Sequence, residues 1–197
     1  MTIDVKRALA LLDLLDPANK YETMLRTAAI LTKLLEQNNV KPIIVGGFSV
    51  EIYTNRDYAT FDIDIVTSDI VTVASTLQKL GFKKEGRHFY HERLKIAIEF
   101  PDDILAGSHE RISKIDIDET EGLYVFVISV EDIIMDRLRA SIYWYESESK
   151  IWGMKMLSDY FDQLDLEYMK EVGKGAETER ESDEIAHWIS ELTRLRG

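Results

Sequence analysis

The chain of 197 residues contains no cysteine. That absence excludes a disulfide framework, a thiolate zinc site, an iron–sulfur cluster and a cysteine nucleophile. Long apolar runs are missing too, since no stretch approaches the roughly 18 residues that a membrane-spanning helix needs. The opening segment, Met1 to Pro17, is interrupted by Asp13 and Asp16 and carries no small-residue cleavage site, so it does not read as a signal peptide. Basic residues are outnumbered, with 24 Lys and Arg against 36 Asp and Glu and a net charge of −12. A surface of that sign argues against broad nucleic-acid binding and leaves room only for a small local basic groove. The expectation from these absences is a cytoplasmic protein with no membrane association. What is present, 45% hydrophobic and 10% aromatic residues, suffices for a real core in one domain with an appendage or in two small domains.

Residues 3–15 and 20–37 have the periodicity of amphipathic helices; in the second, Met24, Ala28, Leu31 and Leu35 recur at four- and three-residue spacing. Ile43–Ile44–Val45 reads as a short buried strand, followed by the Gly46–Gly47 turn and a helix from Phe48 to Tyr53. A polar connection leads into a strand from Phe61 to Val66, and a helix over about 70–80 is closed by Gly81. Residues 82–91 suggest a hairpin, Leu94 to Phe100 a strand, and 111–128 two further strands around a turn at Glu119–Gly122. From Ser129 onward the pattern is helical, over roughly 130–145, 150–162, 164–172 and 178–194, with Gly173–Lys174–Gly175 dividing the last two. The pattern predicts an α+β fold, a mixed sheet flanked by helices, in residues 1–128 (helices within 3–37, core 42–128). A helical C-terminal region, 129–197, follows.

Chemistry concentrates where a strand runs into two glycines and the next strand carries Asp62 and Asp64. Side chains alternate along a strand, so Phe61, Ile63 and Ile65 share one face and the two acids the other. The acids are then about 7 Å apart along the strand, close enough to bend onto one or two Mg²⁺ ions, which prefer hard oxygen ligands. On the strand Leu94–Phe100, Leu94, Ile96, Ile98 and Phe100 alternate inward while Glu99 points the other way. If the two strands are neighbours, Glu99 joins the pair. Three acids holding Mg²⁺ or Mn²⁺ suit an in-line phosphoryl or nucleotidyl displacement. The Gly46–Gly47 turn admits phosphates to backbone amides, with Ser49 as a hydroxyl donor.

Gly46–Gly47, then Asp62-Ile63-Asp64 on the following strand, then an acid on a later strand, together resemble the nucleotidyltransferase superfamily related to DNA polymerase beta. The lead-in from Arg56 to Thr60 is similar to a subset of it: uncharacterised bacterial nucleotidyltransferases and toxin components of the abortive-infection toxin–antitoxin type. The segment Ile128 to Ala140 is similar to the helix such proteins place after the sheet. The resemblance spans roughly residues 24–170 and is strongest at 43–66. It implies a nucleoside triphosphate such as ATP as substrate and Mg²⁺ on Asp62, Asp64 and Glu99. It further implies Glu99 as the base for an acceptor hydroxyl, and nucleotide contacts from Gly46, Gly47, Ser49, Arg56, Thr60, Arg137 and Lys155. The chain departs from the pattern in having Glu99 where the superfamily usually has Asp. A Lys-Asp pair of related proteins is also replaced by Lys155–Met156, with Asp159 three residues beyond.

Other readings compete. An alternating acidic strand is often only a solvated sheet face, and Asp116 and Asp118 repeat the Asp-Ile-Asp pattern after Gly107–Ser108, though no apolar strand leads into that glycine. Lys95 shares the face of Glu99 and is a candidate ion-pair partner for it. Gly81 to His88 has P-loop glycine spacing but lacks the Lys-Ser/Thr pair. His88 and His91, three apart, fall on opposite faces of a strand. Arg137, Arg139 and Lys155 also read as cations on solvated helix faces, and Tyr143, Trp144, Tyr145 and Trp152 as helix-packing residues. The reading that absorbs most of these features is an Mg²⁺-dependent nucleotidyltransferase acting on a small molecule, protein or RNA hydroxyl. The alternatives are a catalytically silent binding module, as one member of a toxin–antitoxin pair or as a homodimer, and a metal-dependent phosphohydrolase.

Overall fold

A computed structural model describes residues 3–176 and 179–196. The chain divides into two compact units, Met1–Ile128 and Ser129–Gly197.

In the first unit the helices α1 (Val5–Asp13) and α2 (Lys20–Leu35) lead through a 3-10 turn into strand β1 (Ile43–Val45) and helix α3 (Gly46–Tyr53). Strand β2 (Asp62–Val66), helix α4 (Ile70–Lys79) and strands β3 (Lys83–Glu85), β4 (His88–His91), β5 (Ile96–Glu99), β6 (Ser113–Asp118) and β7 (Leu123–Val127) follow. The seven strands form one mixed sheet in the order β3-β4-β5-β2-β1-β7-β6. The architecture is thus the expected α+β one. Both helix starts carry side-chain caps: Asp4 accepts from the Arg7 amide and Asn19 from the Glu22 amide. Helix α2 packs on β2, β5, β6 and β7, and its buried stripe includes Met24, Ala28, Leu31 and Leu35. Beneath it Ile63, Ile65, Ile96 and Ile98 are almost fully buried.

Three details differ from the sequence pattern. Gly46 and Gly47 are the first residues of α3 rather than a separate turn. Phe61 does not share the buried face of Ile63 and Ile65; it precedes the first residue of β2 and is 77% exposed, with the Lys20 ammonium 5.3 Å above its ring. Lys95 lies outside β5, in the left-handed region at φ 54°, because the chain turns tightly between β4 and β5 there.

The second unit is built of helices α5 (Val130–Tyr143), α6 (Ser147–Tyr160), α7 (Leu166–Lys174) and α8 (Glu179–Arg196). Glu177 and Thr178, where the sequence pattern starts the last helix, lie outside the described residues. Helices α5 and α6 pack together, α7 packs on α8, and the fully buried Trp188 of α8 fills the centre. Gly173 does not break the chain between helices. It lies inside α7, where a Cβ would stand 3.1 Å from the Ser182 Cα, so its lack of a side chain lets α7 and α8 approach closely. No helix among the described residues is long and apolar enough to cross a membrane.

Candidate active site

Strand register assembles the acids. β5 runs parallel to β2 with Asp62 opposite Ala97 and Asp64 opposite Glu99. Because side chains alternate with period two, Asp62, Asp64 and Glu99 emerge on one face of adjacent strands. One carboxylate oxygen from each lies within 4.8 Å of the others. Asp62 and Asp64 are half-buried, whereas Glu99 is only 7% exposed.

The glycines press against this cluster. β1 pairs antiparallel with β2, setting Val45 opposite Asp64 and bringing the start of α3 to the acids. At Gly46, φ is +59°, and a Cβ would run into the Asp64 carboxylate; at Gly47 it would meet Thr60 Oγ1 at 3.0 Å. The N-cap of α3, Val45, supplies no side-chain hydrogen bond to the start of this helix. Ser49 is fully buried, and its hydroxyl donates to the Gly46 carbonyl at 2.7 Å, which ties down the turn. Thr60 donates from Oγ1 to Asp62 Oδ1 at 3.1 Å, and its amide donates to Glu51 Oε2 at 3.1 Å. Arg56 follows Asn55, both at positive φ, and its guanidinium stacks 4.2 Å from the centre of the Tyr21 ring.

Glu99 has partners that the sequence pattern did not single out. The Arg87 Nε lies 2.5 Å from Oε1 and the His88 Nδ1 3.2 Å from Oε2. The hairpin of β3 and β4 places them there, with His88 opposite Glu99 in the antiparallel register. Arg87, not Lys95, forms the ion pair of Glu99, and His88 lies beside it. The signal that could have found them is the hairpin itself: its turn at Gly86–Arg87 returns the chain alongside β5. His91, on the other side of β4, packs edge-on to Phe82. Lys20 also escaped notice. It lies in the fields of Asp62 and Glu51, yet burial outweighs both and lowers its pKa. Burial likewise raises the Glu51 carboxyl above its usual range, against the amide of Thr60 and the charges of Arg56 and Lys20.

Two of the expected residues belong to the second unit. Arg137 is paired with Asp136 at 2.6 Å and Lys155 with Asp159 at 2.9 Å. The repeated Asp-Ile-Asp of β6 makes no such cluster. A bulge interrupts the strand between Asp116 and Asp118. Asp118 accepts from the Thr120 and Glu121 amides and pairs with Arg26, so it serves as a turn cap.

The three-acid cluster on adjacent strands, next to a glycine-initiated helix in a mixed sheet, is the arrangement that the sequence resemblance led us to expect. Residues 22–185 match the family described as Nucleotidyltransferase of unknown function (DUF6036), and the chain belongs to it. Among solved structures, that of the antibiotic-resistance factor ANT(2'')-Ia is similar over 98% of this chain and 97% of that one. Its sequence identity of 13% and TM-score of 0.43 are too low to bear on the site. No curated protein matches the chain.

Proposed function

We propose that the protein transfers a nucleoside monophosphate from a nucleoside triphosphate to an acceptor hydroxyl, with pyrophosphate as the other product. The observation that carries this reading is the convergence of Asp62, Asp64 and Glu99 within 4.8 Å beside the start of α3. Their donor chemistry fits Mg²⁺ or Mn²⁺: all three ligands are hard carboxylate oxygens. Oxygens around one Mg²⁺ stand at most about 4.2 Å apart, so small side-chain rotations bring the set into range. When bound, such an ion would neutralise charge on the triphosphate and favour ionisation of the attacking oxygen.

The remaining work falls to the chain. The first amides of α3, from Gly46 and Gly47, would donate to phosphate oxygens, and the absence of a Cβ at both positions lets the start of the helix lie against Asp64 and Thr60. Thr60 fixes the Asp62 carboxylate through its hydroxyl. Glu99, acceptor-only when ionised, would take the proton of the acceptor hydroxyl. Lys20, in the field of Asp62, supplies positive charge suited to phosphate oxygens, and Arg56 is proposed as a second such cation. Arg137 and Lys155 are proposed as further nucleotide contacts, by resemblance alone.

The test is calorimetric titration with non-hydrolysable triphosphate analogues, with and without Mg²⁺, on wild type and Asp62→Ala/Asp64→Ala. Saturable binding that needs Mg²⁺ and disappears in the double variant is the expected result. Binding that persists in the double variant would remove the acids from the reading. A second reading, a silent nucleotidyltransferase-fold module, is favoured by the Arg87 ion pair that engages Glu99. It predicts nucleotide binding without any pyrophosphate release across a panel of acceptors.

A further inference from the structure

Glu99 is the most buried of the three acids, while the arginine on it is among the most exposed side chains of the site. Arg87 contacts Oε1 at 2.5 Å, yet 79% of its side chain is exposed, since it stands on the turn between β3 and β4. His88 grips less well: its Nδ1 is 3.2 Å from Oε2 but is not aligned for a hydrogen bond. The Arg87 guanidinium is not aligned for a hydrogen bond either, but it is always charged and lies closer, so it is the ion-pair partner of Glu99.

We propose that Arg87 is a displaceable counter-ion of Glu99, a positioning residue that competes with the divalent cation for this carboxylate and so sets the metal affinity of the site. The proposal rests on the reading of Asp62, Asp64 and Glu99 as a metal site.

Three carboxylates within 4.8 Å repel one another. A buried carboxylate left without a partner is costly, so a guanidinium on Glu99 is stabilising in the metal-free protein. A divalent cation needs lone pairs of the same oxygens and brings a charge that repels the guanidinium. The asymmetry of exposure decides which group yields. Arg87 can swing into water with its charge hydrated, because its side chain is not packed into the core. Glu99, on a central strand and only 7% exposed, cannot follow it. Each arrival of a cation at Glu99 therefore releases Arg87, and affinity is lowered by the strength of that pair.

Mn²⁺ without nucleotide is the probe, titrated by calorimetry and by the electron paramagnetic resonance signal of free Mn²⁺. The proteins compared are wild type, Arg87→Gln, Arg87→Lys and Asp62→Ala/Asp64→Ala. Arg87→Gln should bind Mn²⁺ about three- to tenfold more tightly than wild type, the scale of a partly exposed ion pair. Arg87→Lys keeps the charge but carries it on a flexible, more strongly hydrated ammonium that holds Glu99 less firmly, and should fall between the two. In thermal melts without metal, Arg87→Gln should unfold at a lower temperature than wild type and gain more from saturating Mn²⁺. A merely structural arginine would lower stability without tightening metal binding.

Equal or weaker Mn²⁺ binding by Arg87→Gln, with wild-type binding intact and lost in the double aspartate variant, overturns the proposal and leaves the metal site standing. Should Arg87→Gln not fold by circular dichroism, Arg87→Lys binding no tighter than wild type has the same force. Absence of saturable binding in wild type and in both Arg87 variants overturns the metal site and the proposal together.

Discussion

Gly46 meets two constraints at once, a backbone conformation that disfavours side chains and a neighbouring carboxylate with no room to spare. Gly46→Ala should therefore cost about 1–3 kcal/mol of stability and weaken Mg²⁺-nucleotide binding at least tenfold. Denaturant unfolding and calorimetry read the two effects separately. Full retention of nucleotide affinity would detach this turn from the site. Glu51 gives a second residue-scale test. Burial holds its folded-state pKa above the ordinary value of 4.5, so its contribution favours the folded state at low pH. That contribution is lost as pH rises from the unfolded value through the raised folded one. Glu51→Gln keeps an oxygen to accept the Thr60 amide but cannot ionise, so it should melt higher than wild type near pH 7 and equally near pH 4. A pH-independent difference between the two would refute the assignment. The acids were legible from the sequence because alternation alone puts Asp62 and Asp64 on one face. Arg87, His88 and Lys20 were not, because a partner across strands or on another helix is set by register and packing.

At the scale of elements, the segment Ser129-Val-Glu-Asp turns out to be fastening. The Ser129 hydroxyl donates to Asp132 Oδ2 at 2.8 Å and accepts from the Asp132 amide at 3.0 Å, capping α5. Tyr168 of α7 donates to the other oxygen of Asp132 at 2.6 Å, and the Asp165 amide donates to Glu131 Oε1 at 3.1 Å. Two neighbouring acids thus hold the start of α7 against the start of α5. Ser129→Ala should lower the stability of the second unit by about 1 kcal/mol, seen as a shift in the denaturant midpoint without a change of slope. Gly153→Ala should cost more, about 1–3 kcal/mol, because a Cβ there would stand 2.7 Å from the ring of the fully buried Trp188. An unchanged midpoint in Gly153→Ala would show that α6 and α8 can separate freely. The helices themselves were readable from apolar spacing. The passage of α7 through Gly173 was not, since a glycine inside a helix is explained only by the Ser182 backbone opposite.

At the scale of the whole molecule, a net charge of −12 leaves three carboxylates clustered in an already acidic protein. Cation binding should then stabilise the folded state by mass action, by about 2.7 kcal/mol at a hundred times the dissociation constant. Saturating Mg²⁺ with a non-hydrolysable triphosphate should raise the melting temperature of wild type, and the shift should vanish in Asp62→Ala/Asp64→Ala. Without ligand the double variant should melt no lower than wild type, because removing two of three mutually repelling carboxylates relieves the folded state. A double variant that melts well below wild type would show that these acids serve the fold.

Composition, periodicity and alternation are local properties, and they sufficed for the fold class, the order of elements and the shared face of Asp62 and Asp64, though not for Phe61 or Lys95 at the strand ends. Their reach ends where two segments distant in sequence must be neighbours. Only the tertiary structure placed β5 beside β2, which makes Glu99 the third acid. It alone returned the β3–β4 hairpin to β5, which gives Glu99 Arg87 instead of Lys95. Hydrophobic burial fixes which face of a strand turns inward. Which strand lies alongside, and at what register, is decided by the packing of the whole sheet.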